Sequence, residues 1–327
     1  MYNQKYLVDN WNQREKIEQV PTRNGFGDGL VEAGKNDDRI VALCADLTES
    51  TRIEAFKKEF PDRFIEVGVA EQGLATIASG IANYGKIPFI ASYAAFSPGR
   101  NWEQIRTTIA LNDVPVKIVG AHAGVSVGPD GATHQQLEDI AIMRAMPNMI
   151  VLVPADSNET KRATLAAAQI DKPVYIRLAR EKSPVFSKPD ATFEIGKAIL
   201  LREGKDITLI ACGLLVYEAL IASEILEKKG ISCEVIDNHT IKPIDKATII
   251  RSVMKTRRAA TIEEHQINGG LGGAVAEMLV EEHPVPMKRI GMNDEFGQSG
   301  ETQQLWDHYG LSAEKIAGTV LSFISPK

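Results

Sequence analysis

Short apolar runs alternate with stretches of helical period along most of the chain. Ile40–Leu43, Ile87–Ala91, Val116–Val119, Ile150–Val153 and Val174–Ile176 are rich in β-branched residues and lack the polar alternation of a half-exposed strand. Such runs predict strands buried on both faces, as in a parallel sheet. Between them, Glu71–Asn83, Trp102–Leu111, Leu137–Met143 and Ser157–Gln169 are long enough for crossover helices. Ser157 and Glu159, following Pro154, mark one helix start. The repeated β-α order predicts a doubly wound α/β domain over residues 1–182. A polar stretch at Lys182–Lys188, framed by Pro184 and Pro189, predicts a linker at residues 183–192. Beyond it the order resumes. Ile207–Cys212, Cys233–Ile236 and Ala259–Ile262 read as strands, and Tyr217–Lys229, Lys246–Thr256, Ala274–Glu282 and Ala313–Ser325 as helices. They predict a second, smaller α/β domain over residues 193–327.

Composition narrows the class. A chain of 327 residues suits two domains of ~150 residues each. No uncharged apolar run approaches the ~18 residues that cross a bilayer, which excludes a membrane protein. Met1–Glu15 has no apolar core and reads as neither signal peptide nor anchor. Basic and acidic residues are interspersed, with a net charge of -6 and no basic block, so no nucleic-acid footprint is expected. Cys44, Cys212 and Cys233 form no CxxC pair, and two of them adjoin apolar runs. They predict buried thiols in a reducing cytosol, hence a cytoplasmic protein.

Several positions could carry chemistry. Gly27-Asp28-Gly29 invites a metal-binding reading, but such a motif needs asparagine ligands about one β-α unit later. Asn36 comes too soon, so a helix over Gly25–Ala33 is expected and no metal site in this chain. Glu71 follows a strand and opens an apolar helix. It reads either as a carboxylate stabilised by a helix N-terminus or as a buried carboxylic acid with a raised pKa that shares a proton with a bound heterocycle. The stretch His122–His134 leaves the carboxyl end of a buried strand, where open α/β sheets place ligands. Its glycines, Pro129 and Asp130 preclude a helix, and its flanking histidines suit proton transfer or phosphate contact near neutrality. Arg23, Arg177 and Arg180 lie at expected element ends and, with His122 and Ser50, could make a phosphate pocket. Tyr93 and Phe96 read as core packing or as a stacking platform for a flat heterocycle. The Gly269–Gly273 cluster after Glu263-Glu264-His265 could hold an anion at a helix start, or serve as a tight turn or subunit contact.

Taken in order, Glu66–Gln72, YAAFSPGRNW at Tyr93–Trp102, DGATHQ at Asp130–Gln135, IKPID at Ile241–Asp245 and Glu263–Gly273 resemble the C-terminal two-thirds of transketolase. The resemblance spans nearly the whole chain and implies a pyrimidine-binding domain followed by a transketolase C-terminal domain. The preceding pyrophosphate-binding domain is absent, so the best match is the C-terminal subunit of a split transketolase. The resemblance implies thiamine diphosphate as cofactor, with Mg2+ ligands on a separate N-terminal subunit. It also implies self-association to a dimer or a heterotetramer, because family active sites lie between chains.

By the same resemblance, Glu71 hydrogen-bonds the N1′ atom of the cofactor's aminopyrimidine, Phe96 stacks on that ring, and Tyr93 lies beside it. Asp46 resembles an aspartate near the thiazolium and substrate. Arg23, Ser50, His122 and Arg180 fall where the family binds the sugar phosphate, and Asp130 and His134 where it contacts donor hydroxyls. Glu71 and His134 are the implied catalytic pair. One departure is Gly99, where many transketolases carry a pocket tyrosine; Trp102 or Arg100 is the expected replacement. The implied reaction is transfer of a two-carbon glycolaldehyde unit from a ketose phosphate to an aldose phosphate, as in the pentose phosphate pathway. The competing readings are the β subunit of a 2-oxoacid dehydrogenase-type decarboxylase and a non-catalytic sugar-phosphate-binding half. The sequence leaves the particular ketose and aldose open.

Overall fold

A computed structural model describes residues 1–325. The first part of the chain forms β1 (Gln19–Pro21), α1 (Thr22–Asn36), β2 (Ile40–Cys44), α2 (Glu54–Glu59), β3 (Phe64–Glu66), α3 (Glu71–Asn83) and β4 (Ile87–Tyr93). It continues with α4 (Trp102–Gln104), β5 (Lys117–Ala121), α5 (Asp139–Arg144), β6 (Ile150–Leu152), α6 (Ser157–Ala168), β7 (Val174–Arg177) and β8 (Lys182–Pro184). The second part comprises β9 (Ile199–Arg202), β10 (Ile207–Ala211), α7 (Leu215–Glu227), β11 (Cys233–Asp237), β12 (Thr240–Lys242) and α8 (Lys246–Thr256). It ends with β13 (Ala259–Gln266), α9 (Leu271–Glu282), β14 (Met287–Met292), α10 (Thr302–Tyr309) and α11 (Ala313–Ile324).

The expected strands are present, and β2, β5, β10 and β11 are buried at every residue. Burial on both faces is what a continuous apolar run provides in a parallel sheet. The first sheet has the order β12-β6-β7-β5-β4-β2-β3, parallel except for β12. The second has the order β14-β13-β10-β11-β9, parallel except for β9. Strands β9, β12 and β14 were not anticipated, nor was the β1–β8 pair. The first three lie at sheet edges, where one flank needs no apolar run: Lys288 and Arg289 of β14 are exposed. The strand expected before Glu71 is β3, at the opposite edge of the first sheet from β12.

Strand β12 comes from the second half of the chain yet completes the first sheet, and a shared apolar cluster reinforces that join. Leu74, Ile90 and Ile105 pack in one cluster with Ile210, Ile249, Leu271 and Val275. The first 17 residues also cross over: Tyr6, Leu7, Trp11 and Ile17 belong to the cluster built around β10, α7 and α11.

The glycines of Gly27-Asp28-Gly29 lie within α1, as the helical reading expected, and have a packing role. A Cβ at Gly25 would lie 1.9 Å from the Ser157 carbonyl oxygen, and one at Gly29 would lie 2.9 Å from the Thr164 Cβ. Glycine thus lets α1 pack closely on α6. Helix α6 starts at Ser157 as expected, and the preceding Asp156 is its cap, accepting the Glu159 N–H at 2.8 Å. The loop after β5 contains a short 3-10 turn at Val125–Asp130, broken at Gly128 (φ 77°), which corrects the expectation that its glycines, Pro129 and Asp130 preclude a helix there. All three cysteines are free and buried. No helix among the described residues is long and apolar enough to cross a membrane.

Candidate active site

The chain leaves β2 toward β3 on one side and β4 toward β5 on the other. Opposed exits of this kind open a crevice at the carboxyl ends of the strands. Asp46 and Ser50 follow β2, Glu71 follows β3, Tyr93 ends β4, Phe96 lies in the turn after it, His122 follows β5 and Arg180 follows β7. Arg23 joins them from the first turn of α1. That turn is tied to the end of β7 by Thr22, whose Oγ1 accepts the Ala179 N–H at 2.9 Å.

At one end of the crevice, Glu71 is the first residue of α3 and is 3% exposed. Asn101 Nδ2 donates to the Glu71 carbonyl at 2.9 Å and to Ser97 Oγ at 3.2 Å, clamping the turn after β4 onto α3. The exposed Arg100 approaches Glu71 Oε2 at 3.4 Å. The wall at Gly99 is fixed by backbone: a Cβ there would lie 2.0 Å from the Ala95 carbonyl oxygen, so no larger residue fits. Trp102 does not replace the missing side chain, because its Nε1 donates to the Ile142 carbonyl at 3.1 Å and its ring packs on the shared core.

In the middle lies a cluster of rings. Tyr93 stacks on His122 with centroids 3.8 Å apart and planes at 25°, and on Phe96 at 5.8 Å and 21°. His134 meets Phe96 edge-on at 5.5 Å, and its Nδ1 lies 2.9 Å from Thr133 Oγ1. One face of Tyr93 is thus taken by His122, which leaves Phe96 as the platform residue. His122 departs from its expected titration near neutrality. Burial, helped by Arg23, Arg180, His134 and Arg52, pushes its pKa down to about 3. It is neutral at pH 7 and presents one N–H and one lone pair.

The far end is cationic. Arg23 Nη1 donates to the Ser50 carbonyl at 2.7 Å, so Ser50 contributes backbone to the arrangement. Arg180 Nη1 donates to the Val127 carbonyl at 3.0 Å and pairs with Glu181 at 3.2 Å. Arg52, a residue the sequence reading missed, donates from Nε to Asn24 Oδ1 at 3.1 Å. Arg23 has its pKa lowered by burial and then by the charges of Arg52 and Arg180. Arg23 Nε and His122 Nδ1 are buried and take no hydrogen-bond partner among the described residues. Buried polar groups are rarely left so. Arg177 does not belong to this set: its Nε pairs with Asp139 Oδ2 at 2.8 Å and its Nη2 donates to the Glu264 carbonyl at 2.8 Å.

Asp46 and Asp130 are exposed at the rim. The Asp46 N–H donates to Glu66 Oε1 at 2.8 Å. Of the seven non-glycine residues with left-handed φ among the described residues, Asp46 and His122 border this crevice. Such strain concentrates at functional sites. The Gly269–Gly273 cluster takes no outside anion: Glu263 occupies the start of α9, accepting the Leu271 and Gly272 N–H groups at 2.6 and 2.7 Å.

These features define an α/β protein whose crevice offers a buried carboxyl, an aromatic platform and a group of guanidinium side chains. The chain belongs to the transketolase family. Residues 18–185 match the family model "Transketolase, pyrimidine binding domain" and residues 196–316 match "Transketolase, C-terminal domain". The chain is 47% identical over 302 residues to a "Putative transketolase C-terminal section" of Methanocaldococcus jannaschii, covering 91% of this chain and 95% of that protein. It is 42% identical over 301 residues to a 6-deoxy-6-sulfo-D-fructose transketolase subunit of a Clostridium species, covering 92% and 94%. The solved structure "Split gene transketolase, inactive beta4 tetramer" superposes with a TM-score of 0.88 at 44% identity, over 93% of this chain and 98% of that one.

Membership of this family implies thiamine diphosphate as the cofactor. The residues present fit one end of it, with a buried carboxyl and an aromatic ring for the aminopyrimidine. Among the described residues no group of three or more histidine, cysteine or acidic side chains could hold a metal ion, and Asp28 is exposed on α1.

Proposed function

We propose that this chain is the C-terminal half of a two-chain cytoplasmic transketolase. It transfers a two-carbon ketol unit from a ketose phosphate to an aldose phosphate, with residues 1–182 forming the pyrimidine-binding domain and residues 193–327 the C-terminal domain. A separate N-terminal chain holds the diphosphate and Mg2+, and the two assemble as a heterotetramer. The observation that carries this reading is a crevice with buried Glu71 at one end and the unpartnered nitrogens of Arg23 and His122 at the other.

Thiamine diphosphate supplies the electron sink that no side chain offers. Glu71 holds a proton at the aminopyrimidine N1′, and Phe96 orients that ring by stacking. Arg23, Arg180 and neutral His122 donate to the terminal phosphate, with Ser50 beside them holding Arg23 through its carbonyl, which turns remote binding energy into orientation of the substrate. His134, half-buried beside Phe96, moves the proton of a donor hydroxyl, with Asp130 hydrogen-bonding its neighbours. Asp46 faces the reacting end. The name of one relative gives its sugar a sulfonate, so the terminal anion is where substrates within this group differ.

Co-expression with a candidate N-terminal chain tests the reading. Ketol transfer from xylulose 5-phosphate is expected only with both chains, thiamine diphosphate and Mg2+. A cofactor-loaded complex that decarboxylates 2-oxoacids onto a lipoyl acceptor and leaves ketose phosphates untouched overturns it. The cationic end speaks against that alternative, since 2-oxoacids carry no distal phosphate.

A further inference from the structure

We infer that Glu264, in the second domain, is a positioning residue: its carboxylate latches the loop after β5 and thereby sets His134 and the Arg180 guanidinium. This rests on the transketolase reading above and adds a residue to its machinery.

The stem of that loop is held by the first sheet, where the Ala123 N–H donates to the Leu178 carbonyl at 3.0 Å. Its middle, buried at Ser126 and Val127, is gripped from the second domain. Glu264 lies near the end of β13 and is itself buried. Its Oε1 accepts the Ser126 N–H at 2.5 Å and Trp306 Nε1 at 3.1 Å, and its Oε2 accepts Ser126 Oγ at 3.0 Å. Thr302 Oγ1, at the start of α10, donates to the Ser126 carbonyl at 3.2 Å. Every polar atom of Ser126 is thus answered from the second domain. The fit is close: a Cβ at Gly124 (φ 90°) would lie 2.5 Å from Glu264 Cδ, so the turn requires glycine. A buried carboxylate is costly unless donors converge on it, and here three do.

The grip reaches the crevice by two short routes. Val127 follows Ser126, and its carbonyl accepts from Arg180 Nη1 at 3.0 Å. Gln135 follows His134, and its Nε2 donates to the Val125 carbonyl at 3.1 Å and to the Gln298 carbonyl at 3.0 Å. The residue beside His134 is therefore tied to both sides of the latch. A short 3-10 turn broken at Gly128 has few backbone bonds to stiffen it, so side chains from outside set its position. Displacing catalytic groups by about 1 Å is enough to cost about 10²-fold in rate.

Two variants separate the latch from mere bulk. Glu264→Gln keeps Oε1 as acceptor and turns its amide toward Ser126 Oγ, which can accept, so the latch should survive. Glu264→Met fills the space and accepts nothing. Hydrogen–deuterium exchange on the isolated full chain reads the loop without turnover. Amides of Val125–Gln135 should exchange about tenfold faster in Glu264→Met and within about twofold of wild type in Glu264→Gln. In the two-chain enzyme with thiamine diphosphate and Mg2+, Glu264→Met should lower kcat/KM for xylulose 5-phosphate about 10²-fold. Part of that loss should be a KM about fivefold higher, which a smaller folded fraction would not produce. Glu264→Gln should restore both constants. Where Glu264→Met fails to fold, the half-buried Thr302→Val carries the test. It removes one hydrogen bond and should speed loop exchange about threefold and raise KM about twofold. Unchanged loop exchange or unchanged KM in the folded variant overturns the inference, as does a Glu264→Gln chain that behaves like Glu264→Met. A wild-type two-chain complex that transfers no ketol unit overturns instead the transketolase reading, and the exchange comparison still decides the latch.

Discussion

The molecule gathers buried charge twice near the carboxyl ends of its strands, and the two places differ in who answers it. Around Arg177 opposite charges meet, although Asp139 Oδ1 finds no partner among the described residues. Asp139 takes hydrogen bonds from Arg177 Nε and from the Tyr175 hydroxyl at 2.7 Å. Glu264 accepts from the Ser126 N–H at 2.5 Å and from Trp306 Nε1 at 3.1 Å, and Glu263 caps α9. Around Arg23 the chain gathers like charges and leaves buried nitrogens unmatched. Burial does not separate the regions, because Arg177 is 7% exposed and His122 only 1%. Pairing does. A buried charge with partners fixes the fold, whereas a buried donor without one costs stability until a ligand arrives.

The sharpest break would come at Glu71. Glu71→Gln should lower kcat of the two-chain enzyme by about 10³-fold or more while leaving the melting temperature of the isolated chain nearly unchanged. Turnover within twofold of wild type would remove Glu71 from the chemistry.

Next in size is the contrast between two arginines. Arg177→Met strands Asp139 in the core and should destabilise the chain by about 3 kcal/mol in urea unfolding. Arg180→Met relieves like-charge crowding and should shift stability by no more than about 0.5 kcal/mol. Equal destabilisation by both would erase the distinction between the regions.

The last contrast is a gradual one and belongs to Glu263. Burial, opposed by the Gly272 and Leu271 N–H groups, raises its pKa from 4.5 to about 7. The native state therefore holds this proton more tightly than the unfolded state does. Its contribution is fully present below the unfolded value and is lost as pH rises through the folded one. Wild-type stability should decline across that window with a slope of at most about 1.4 kcal/mol per pH unit from this group. Glu263→Gln should flatten that part of the curve, as denaturant titrations from about pH 4 to 8 would read. A decline that survives in the variant assigns it to other groups.

Local pattern carried the fold a long way. Buried strands announce themselves because both faces need apolar side chains, and Glu71–Asn83 forms α3 over the very span its helical period predicted. Edge strands went unseen because solvent covers one side of them. In the crevice, the polar loop between His122 and His134 and the arginines at element ends were visible as types. Arg177 and Arg180, three residues apart, looked alike in sequence. Asp139 holds Arg177 in the core at the end of β7, and the turn beyond β7 carries Arg180 to the crevice. Arg52 gave no signal, because a left-handed turn seated on Gly27 depends on two segments far apart in the chain.

The sequence by itself determined the β-α alternation, the buried strands and the family, since hydrophobic period and contiguous motifs are local properties of the chain. Only the tertiary structure decided which charges meet, which histidine stays neutral and which backbone fills the place of a missing side chain. Those outcomes depend on distance and desolvation between residues remote in sequence, and these take their values only when the strands are laid side by side.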